Sequence, residues 1–434
     1  MAAPVEVAAS PRRHPLAPLR HRQFLLVWLG AFVSNIGTWM ETIAVGVLVT
    51  EVTGKSGWTG IVAAAGFLPL GLLAPVGGAL ADRLDRRRLF IVTTTIEAVL
   101  ATVLTVMAAS GTPSPGAVTL IVLMTGCVAA LGFPAYQAVL PDLVPQDELL
   151  AAVALGQAQF NLGRVIGPAL AGVVIHLGGY AWAFGVNAAS FGAMILSALA
   201  LRLPPVERTV QPVWHAVREG WGFARREPGV RLALMTLAVV GVLASPFIGL
   251  VPAMAEFAFH EPDIGTAVLV TAQGVGAVAA GVSIGVLAGR FGRRSVLVAS
   301  VLLLPVALVA YAAAPNLWFG TLAILFVGAL YLAQFSSLGA VMQLRAPREL
   351  RGRVSSLFMV VLGTSYPLGL AVQGWLGDRV GLRWVTGGAA VLLGAILVTA
   401  VGLRPELMHR FDDPTAADPA GAVEGGDAAA ATKS

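Results

Sequence analysis

Apolar residues run in long, almost uninterrupted stretches along the 434-residue chain, and polar residues gather in the short gaps between them. Twelve such stretches fall near 24–50, 58–81, 89–109, 116–140, 149–176, 181–201, 230–257, 264–288, 295–313, 317–343, 354–376 and 383–402. A helix needs about 20 apolar residues to cross the hydrocarbon core of a bilayer. The pattern therefore predicts an all-α membrane protein with 12 transmembrane helices. Turn formers such as Ser110-Gly111-Thr112-Pro113 mark the junctions. The first stretch is far longer than the roughly 7–15 residues of a signal-peptide core, so it reads as an uncleaved first span.

Composition agrees. The chain is 57% hydrophobic and 12% charged, with a mean hydropathy of +0.82. A soluble globular surface needs more charge than this. The isoelectric point near 9.9 does not point to nucleic acid, because the basic residues sit in short clusters between apolar runs, where they set membrane orientation. The single cysteine, Cys127, excludes an intrachain disulfide and argues against a thiolate metal site.

Charge also tests the span count. With both termini cytoplasmic, the inner segments carry 24 of the 28 Lys and Arg. The outer loops carry Lys55, Arg379 and Arg383, and Arg164 lies inside the fifth span. A wrong count would scramble this alternation. The expected organisation is a cytoplasmic tail (1–23), a six-helix bundle (24–202), a cytoplasmic linker (203–229), a second six-helix bundle (230–404) and a disordered cytoplasmic tail (405–434). In the linker Trp214, Val217, Trp221 and Ala224 share one helical face, which suggests an amphipathic helix on the inner membrane surface, with a solvated linker helix as the alternative.

The chain repeats internally. At a shift of 202, Pro145 pairs with Pro347, Gly167 with Gly369, Gly172 with Gly374, Gly179 with Gly381 and Trp182 with Trp384. At a shift of 207, the segment 81–87 (ADRLDRR) aligns with 288–294 (AGRFGRR). Both copies of the basic turn follow the second span of their half, so the halves are parallel repeats.

Two six-span halves with such turns resemble the major facilitator superfamily, whose signature is G-x-L-[AG]-D-R-x-G-R-[RK]. Gly78, Leu80, Ala81, Asp82, Arg83, Arg86 and Arg87 match it, with Asp85 in place of the second Gly. In the second copy Gly285, Leu287, Ala288, Arg290, Gly292, Arg293 and Arg294 match, with Gly289 in place of Asp. Gly163, Gly167, Pro168 and Gly172 resemble the G-x-x-x-G-P motif of exporters and antiporters in this superfamily. The runs Pro141-Asp142-Leu143-Val144-Pro145 and Glu219-Gly220-Trp221-Gly222-Phe223 resemble the branch containing the enterobactin exporter and macrolide efflux proteins, which are drug:proton antiporters.

The arginines of the basic turns hold short loops inside, but acids contribute little to orientation, so Asp82 needs another account. A carboxylate at the inner end of span two can accept hydrogen bonds from a neighbouring helix N terminus. The resemblance implies that this neighbour is span eleven and that Arg86 joins the same cluster. Asp82, Arg83, Arg86, Arg87, Arg290 and Arg293 are thus the expected gating set, with a purely topological role as the alternative.

A charge at mid-membrane costs about 2.5–3.5 kcal/mol on insertion scales and needs a partner or water. Glu41, Glu97 and Arg164 lie at such depth. The resemblance places spans one and five at a central cavity, so Glu41 and Arg164 are the expected proton-responsive pair. Glu97 is a further candidate or a carboxylate held within its own half. Asn35, Trp39, Gln273, Tyr331, Gln334, Ser365 and Tyr366 are candidates for a substrate cavity, each of which alone could equally be helix-packing glue. Pro69, Pro168, Pro246, Pro252 and Pro367 are candidate helix breaks.

No paired-carboxylate, zinc-spaced or nucleophile-elbow pattern occurs in a plausible context, and no P-loop, so neither an enzyme nor an ATP-driven pump is expected. The expectation is a secondary active exporter of hydrophobic or amphiphilic small molecules (drug, siderophore or secondary metabolite). It would need no cofactor, with the proton gradient as energy source. Its partners would be a small-molecule substrate, protons and the lipid bilayer, not nucleic acid, and it would work as a monomer in a bacterial cytoplasmic membrane. An importer or uniporter of the same fold, or a non-transporting membrane sensor or scaffold, are the alternatives.

Overall fold

In the computed structural model, residues 15–201 and 213–403 are described, together with Glu406 and Phe411; nearly all are helical. Of the predicted tails, residues 1–14 and all of 405–434 except Glu406 and Phe411 lie outside the described residues. Ten helices among them are long and apolar enough to cross a membrane.

The helices begin and end where local chemistry dictates. Helix α1 (Arg22–Thr53) stops at Gly54, whose left-handed backbone (φ 61°) suits a residue without a Cβ. Helix α2 (Ser56–Arg83) follows directly. The Asp85 side chain accepts from the Arg88 N–H and so caps α3 (Arg86–Ser110). Ser114 caps α4 (Pro115–Val139), with proline at its first position. Helix α5 (Leu149–Leu199) runs through the two stretches expected as spans five and six, with a non-helical residue, Gly179 (φ 76°), between them. The linker contains α6 (Val213–Arg226), in line with the helix expected there.

The expected seventh span is broken rather than continuous. It comprises α7 (Pro228–Leu243), a 3-10 turn (Ser245–Phe247), a short α8 (Val251–Met254) and a π-helical turn (Ala255–Phe259). Two of the five candidate helix-breaking prolines, Pro246 and Pro252, lie in this break. Pro69, Pro168 and Pro367 sit inside continuous helices. Helices α9 (Asp263–Phe291), α10 (Arg293–Ala312), α11 (Leu317–Arg345), α12 (Arg351–Val380) and α13 (Leu382–Leu403) complete the chain.

The repeat has a structural counterpart. Pro145 and Pro347 each precede a short 3-10 turn, after which α5 starts at Leu149 and α12 at Arg351, again 202 apart. Gly179 and Gly381 both take positive φ, 76° and 90°.

Side-chain bonds define two ends of the bundle. At one, the basic face, Arg87 donates to the carbonyls of Ala198 and Leu199 at the end of α5, and Arg345 pairs with Glu227 at 2.7 Å. At the other, the far face, Arg383 donates to the carbonyls of Ala312, Ala314 and Ala258. Arg87 and Arg383 satisfy carbonyls left over at helix C termini, where the dipole is negative. Helix α1 packs on α5, α2 on α4, and α3 on α4 and α5; α9 and α10 pack on α11, α10 on α13, and α7 on α12. Two extensive seams, α2–α12 and α5–α9, join the first set to the second.

Candidate functional site

The glycines of the G-x-x-x-G-P run serve close packing. A Cβ on Gly163 would stand 2.9 Å from the Asn35 Cβ, and one on Gly167 would stand 2.6 Å from the Trp39 Cβ. Neither fits, so α1 lies directly against α5. Gly172 faces the other seam, where its Cβ would meet the Ala267 Cβ of α9 at 2.7 Å.

This approach delivers Trp39 to Arg164, whose guanidinium carbon sits 5.5 Å from the indole ring centre. The cation–π contact replaces part of the hydration that the charge loses. Arg164 also lies within electrostatic reach of Tyr331 on α11 and Tyr366 on α12. Tyr331 accepts a hydrogen bond from Ser245 (3.1 Å) and packs edge-on to Phe247. Tyr366 packs edge-on to Phe67 of α2, with centroids 5.0 Å apart. A cation from one set of helices thus faces two phenols from the other.

Asn35 donates to Gln159 at 3.0 Å. Gln159, Gln273 and Gln334 are buried, and each retains one amide atom with no hydrogen-bond partner among the described residues: Nε2 of Gln159, Nε2 of Gln273 and Oε1 of Gln334. Buried polar atoms are rarely left so, which marks these amides as groups able to meet a polar ligand.

Glu41 does not pair with Arg164. Its carboxylate accepts from the Asn187 Nδ2 at 2.6 Å, in the second part of α5. Glu97 of α3 lies within electrostatic reach of Glu41. Among the described residues, no Arg, Lys or His lies within 4 Å of either carboxylate. The expected proton-responsive pair is therefore two separate clusters: Glu41–Asn187–Glu97 among α1, α3 and α5, and Arg164 with aromatic residues at the seam. Side-chain direction separates them, for α1 presents Trp39 to one side and Glu41 to the other.

The basic turns also differ from expectation. Asp82 is exposed and, among the described residues, makes no hydrogen bond or ion pair, so its predicted contact with the N terminus of α12 is not made. Arg86 does not join Asp82 but pairs with Asp142 at 2.9 Å. Arg87 is held by the end of α5, and Arg290 lies over the Phe291 ring. Arg83 is exposed.

The same chemistry does occur at the far face, with the helices exchanged. Asp378, in the last turn of α12, accepts from Ser56 Oγ (2.8 Å) and from the Gly57 N–H (3.1 Å to each oxygen) at the start of α2. Ser56 Oγ also donates to the Gly374 carbonyl at 2.8 Å. Lys55, the residue before α2, provides no side-chain cap, so Asp378 caps α2 from across the seam. Farther along, a Cβ on Gly71 would stand 2.5 Å from the Gly363 carbonyl carbon. Toward the basic face the seam loosens: a Cβ on Gly78 would meet nothing within 4 Å. The α5–α9 seam is similar. His176 lies within electrostatic reach of Asp263 at the start of α9, whereas Val282 and Val286, toward the basic face, are 78% and 73% exposed. The repeat shifts carry Asp378 onto His176 and Ser56 onto Asp263.

Sequence reasoning missed Asp378, Ser56, Asn187 and Gln159. Each had a signal. Asp378 stands in the last turn of a helix, where the dipole disfavours an acid, and Asn187 and Gln159 are amides at membrane depth.

Known proteins resemble the chain along most of its length. The family model described as transmembrane secretion effector matches residues 13–418. The enterobactin exporter EntS of Salmonella typhi is 28% identical over 404 residues, covering 88% of this chain and 93% of that protein. The multidrug efflux pump Tap of Mycolicibacterium fortuitum is 28% identical over 377 residues, covering 83% and 90%. The fold matches the nucleoside transporter NupG (D323A mutant) with a TM-score of 0.71 at 16% identity, covering 87% of this chain and 99% of that one. A bacterial homologue of the lysosomal transporter Spinster matches with a TM-score of 0.69 at 15% identity, covering 91% and 98%.

Proposed function

The chain belongs to the transmembrane secretion effector family of the major facilitator superfamily, and on that footing we propose that it exports amphiphilic small molecules by alternating access, driven by inward proton flow. It is a multi-pass membrane transporter and not an enzyme. The observation that carries the substrate reading is the seam cluster in which Arg164 and Trp39 face Tyr331 and Tyr366. Cationic, aromatic and amide groups amid apolar walls suit a ligand with both polar and ring-bearing parts. The efflux relatives support the direction of transport.

The proposed topology has twelve crossings in two six-helix halves, 24–202 and 230–404. Gly179 divides α5 into two crossings, and the broken segment from α7 through the π-turn makes the seventh. With the basic face in the cytoplasm, as the arginine bias favours, the chain stands in a bacterial inner membrane. Contacts at the far ends of both seams then hold the outer side closed, while the unpartnered Asp82 belongs to an open inner side. In the opposite state Asp82 takes the α12 N terminus as Asp378 now takes that of α2. The two acids thus alternate as latches on one antiparallel helix pair.

Glu41 and Glu97 carry the proton in this scheme. Protonation removes charge from the pair and alters the Asn187 contact that ties α1 to the second part of α5. A panel of amphiphilic drugs and siderophores tested on cells with and without the gene decides the export role. Increased intracellular retention of at least one compound in the deletion strain is expected; unchanged retention across the panel contradicts it.

A further inference from the structure

A groove of about 260 Å³ lies at the basic face between α6, α7 and α12. Trp221 and Arg225 of α6 and Arg231 of α7 line its rim, and Leu234, Met235 and Val361 line its depth. Along α7, Arg231, Leu234, Met235 and Ala238 follow one face of the helix away from the basic end. The seven helical steps from Arg231 to Ala238 span about 10 Å at 1.5 Å per residue. The groove is thus cationic at the level of the membrane surface and apolar below it.

The local charges are unbalanced. Both acids of this segment are already engaged: Glu219 pairs with Arg353, and Glu227 pairs with Arg345 and caps α7 through the Val230 N–H. Arg218, Arg225, Arg226 and Arg231 make no ion pair within 4 Å among the described residues, and all four are exposed. Arg225 lies over the Trp221 ring at 5.7 Å, and Arg231 donates to the Arg225 carbonyl at 3.3 Å, which draws the two guanidinium groups toward one rim. Trp221 is 41% exposed, as expected of an indole at a membrane–water boundary.

We propose that this groove binds one anionic phospholipid, its phosphate between Arg225 and Arg231 and an acyl chain along Leu234, Met235 and Ala238. Clustered arginines just outside a span favour anionic headgroups, and the apolar wall below accepts a chain that a free anion lacks. Because α6 packs on both α12 and α2, the occupant touches the element that bridges the two sides of the open seam.

The test uses the full chain, purified in detergent, delipidated and titrated with phosphatidylglycerol or phosphatidylcholine while adducts are counted by native mass spectrometry. Preferential retention of one phosphatidylglycerol is expected. R225Q/R231Q should weaken that retention about tenfold or more, whereas R225K/R231K, which keeps the charge, should retain most of it. M235W, which fills the groove and leaves the arginines intact, should also lose the lipid, and inorganic phosphate should not displace it. Equal binding of the two lipids, full retention by R225Q/R231Q or by M235W, or displacement by inorganic phosphate would each overturn the proposal.

Discussion

Replacing Asp378 with Ala removes the acceptor that joins the end of α12 to the start of α2. Two donors, Ser56 Oγ and the Gly57 N–H, lose their carboxylate partner, and α2 loses its only side-chain cap. Hydrogen bonds to charged groups contribute about 1.5–3 kcal/mol when well shielded. Asp378 is exposed, so solvent screening lowers the value for the latch as a whole to about 1–2 kcal/mol. The equilibrium between far-face-closed and far-face-open states should therefore shift about 5- to 30-fold toward open. Spin labels at Val52 and Val380, both exposed at the far face, in a C127S background report this by pulsed electron–electron resonance. D378A should build up a longer-distance population, and D378N, which keeps an acceptor without the charge, should fall between D378A and the parent. An unchanged distance distribution in D378A would refute the latch.

The other latch should act oppositely: D82N should insert normally yet transport more slowly, with labels at the basic face showing less of the closed state; parental transport would leave Asp82 without a gating role. E41Q should uncouple substrate movement from protons in proteoliposomes while leaving ligand binding by tryptophan fluorescence within about twofold, because Glu41 lies apart from the Arg164 cluster. R164K should weaken binding by about tenfold, since lysine keeps the charge but loses the planar stacking on Trp39, and equilibrium dialysis with a radiolabelled ligand measures it. G71V places a branched side chain where Gly363 backbone lies 2.5 Å from a Cβ; it should hold the far face open and stop turnover with little loss of expression.

Much of the architecture was legible in the chain. The apolar runs, the arginine bias and the 202-residue repeat follow from hydropathy, charge and a few Gly, Pro and Trp positions, and each leaves a one-dimensional trace. The tight α1–α5 contact rests on the glycines of the G-x-x-x-G-P run, which by themselves name no partner helix. Partner choice was not legible, because it depends on how each helix is rotated about its axis. Trp39 and Glu41 are two residues apart in sequence, yet one reaches Arg164 and the other Asn187. The break in the seventh span shows the same limit. Five prolines looked equivalent, but only Pro246 and Pro252 fall in a segment whose neighbours take up non-α turns. Asp378, next to Arg379 and close to Arg383 at the end of a span, resembles ordinary surface charge until the start of α2 is seen beside it.

Alternating-access export coupled to protons is tested most directly by reconstituting the protein in liposomes, imposing a pH gradient and following a fluorescent amphiphile known to be retained in the deletion strain. Movement against the amphiphile's own gradient, opposite to proton flow, is expected; it should collapse with a protonophore and be lost in E41Q. Movement that ignores the pH gradient, or that persists in E41Q with protons still flowing, would contradict it.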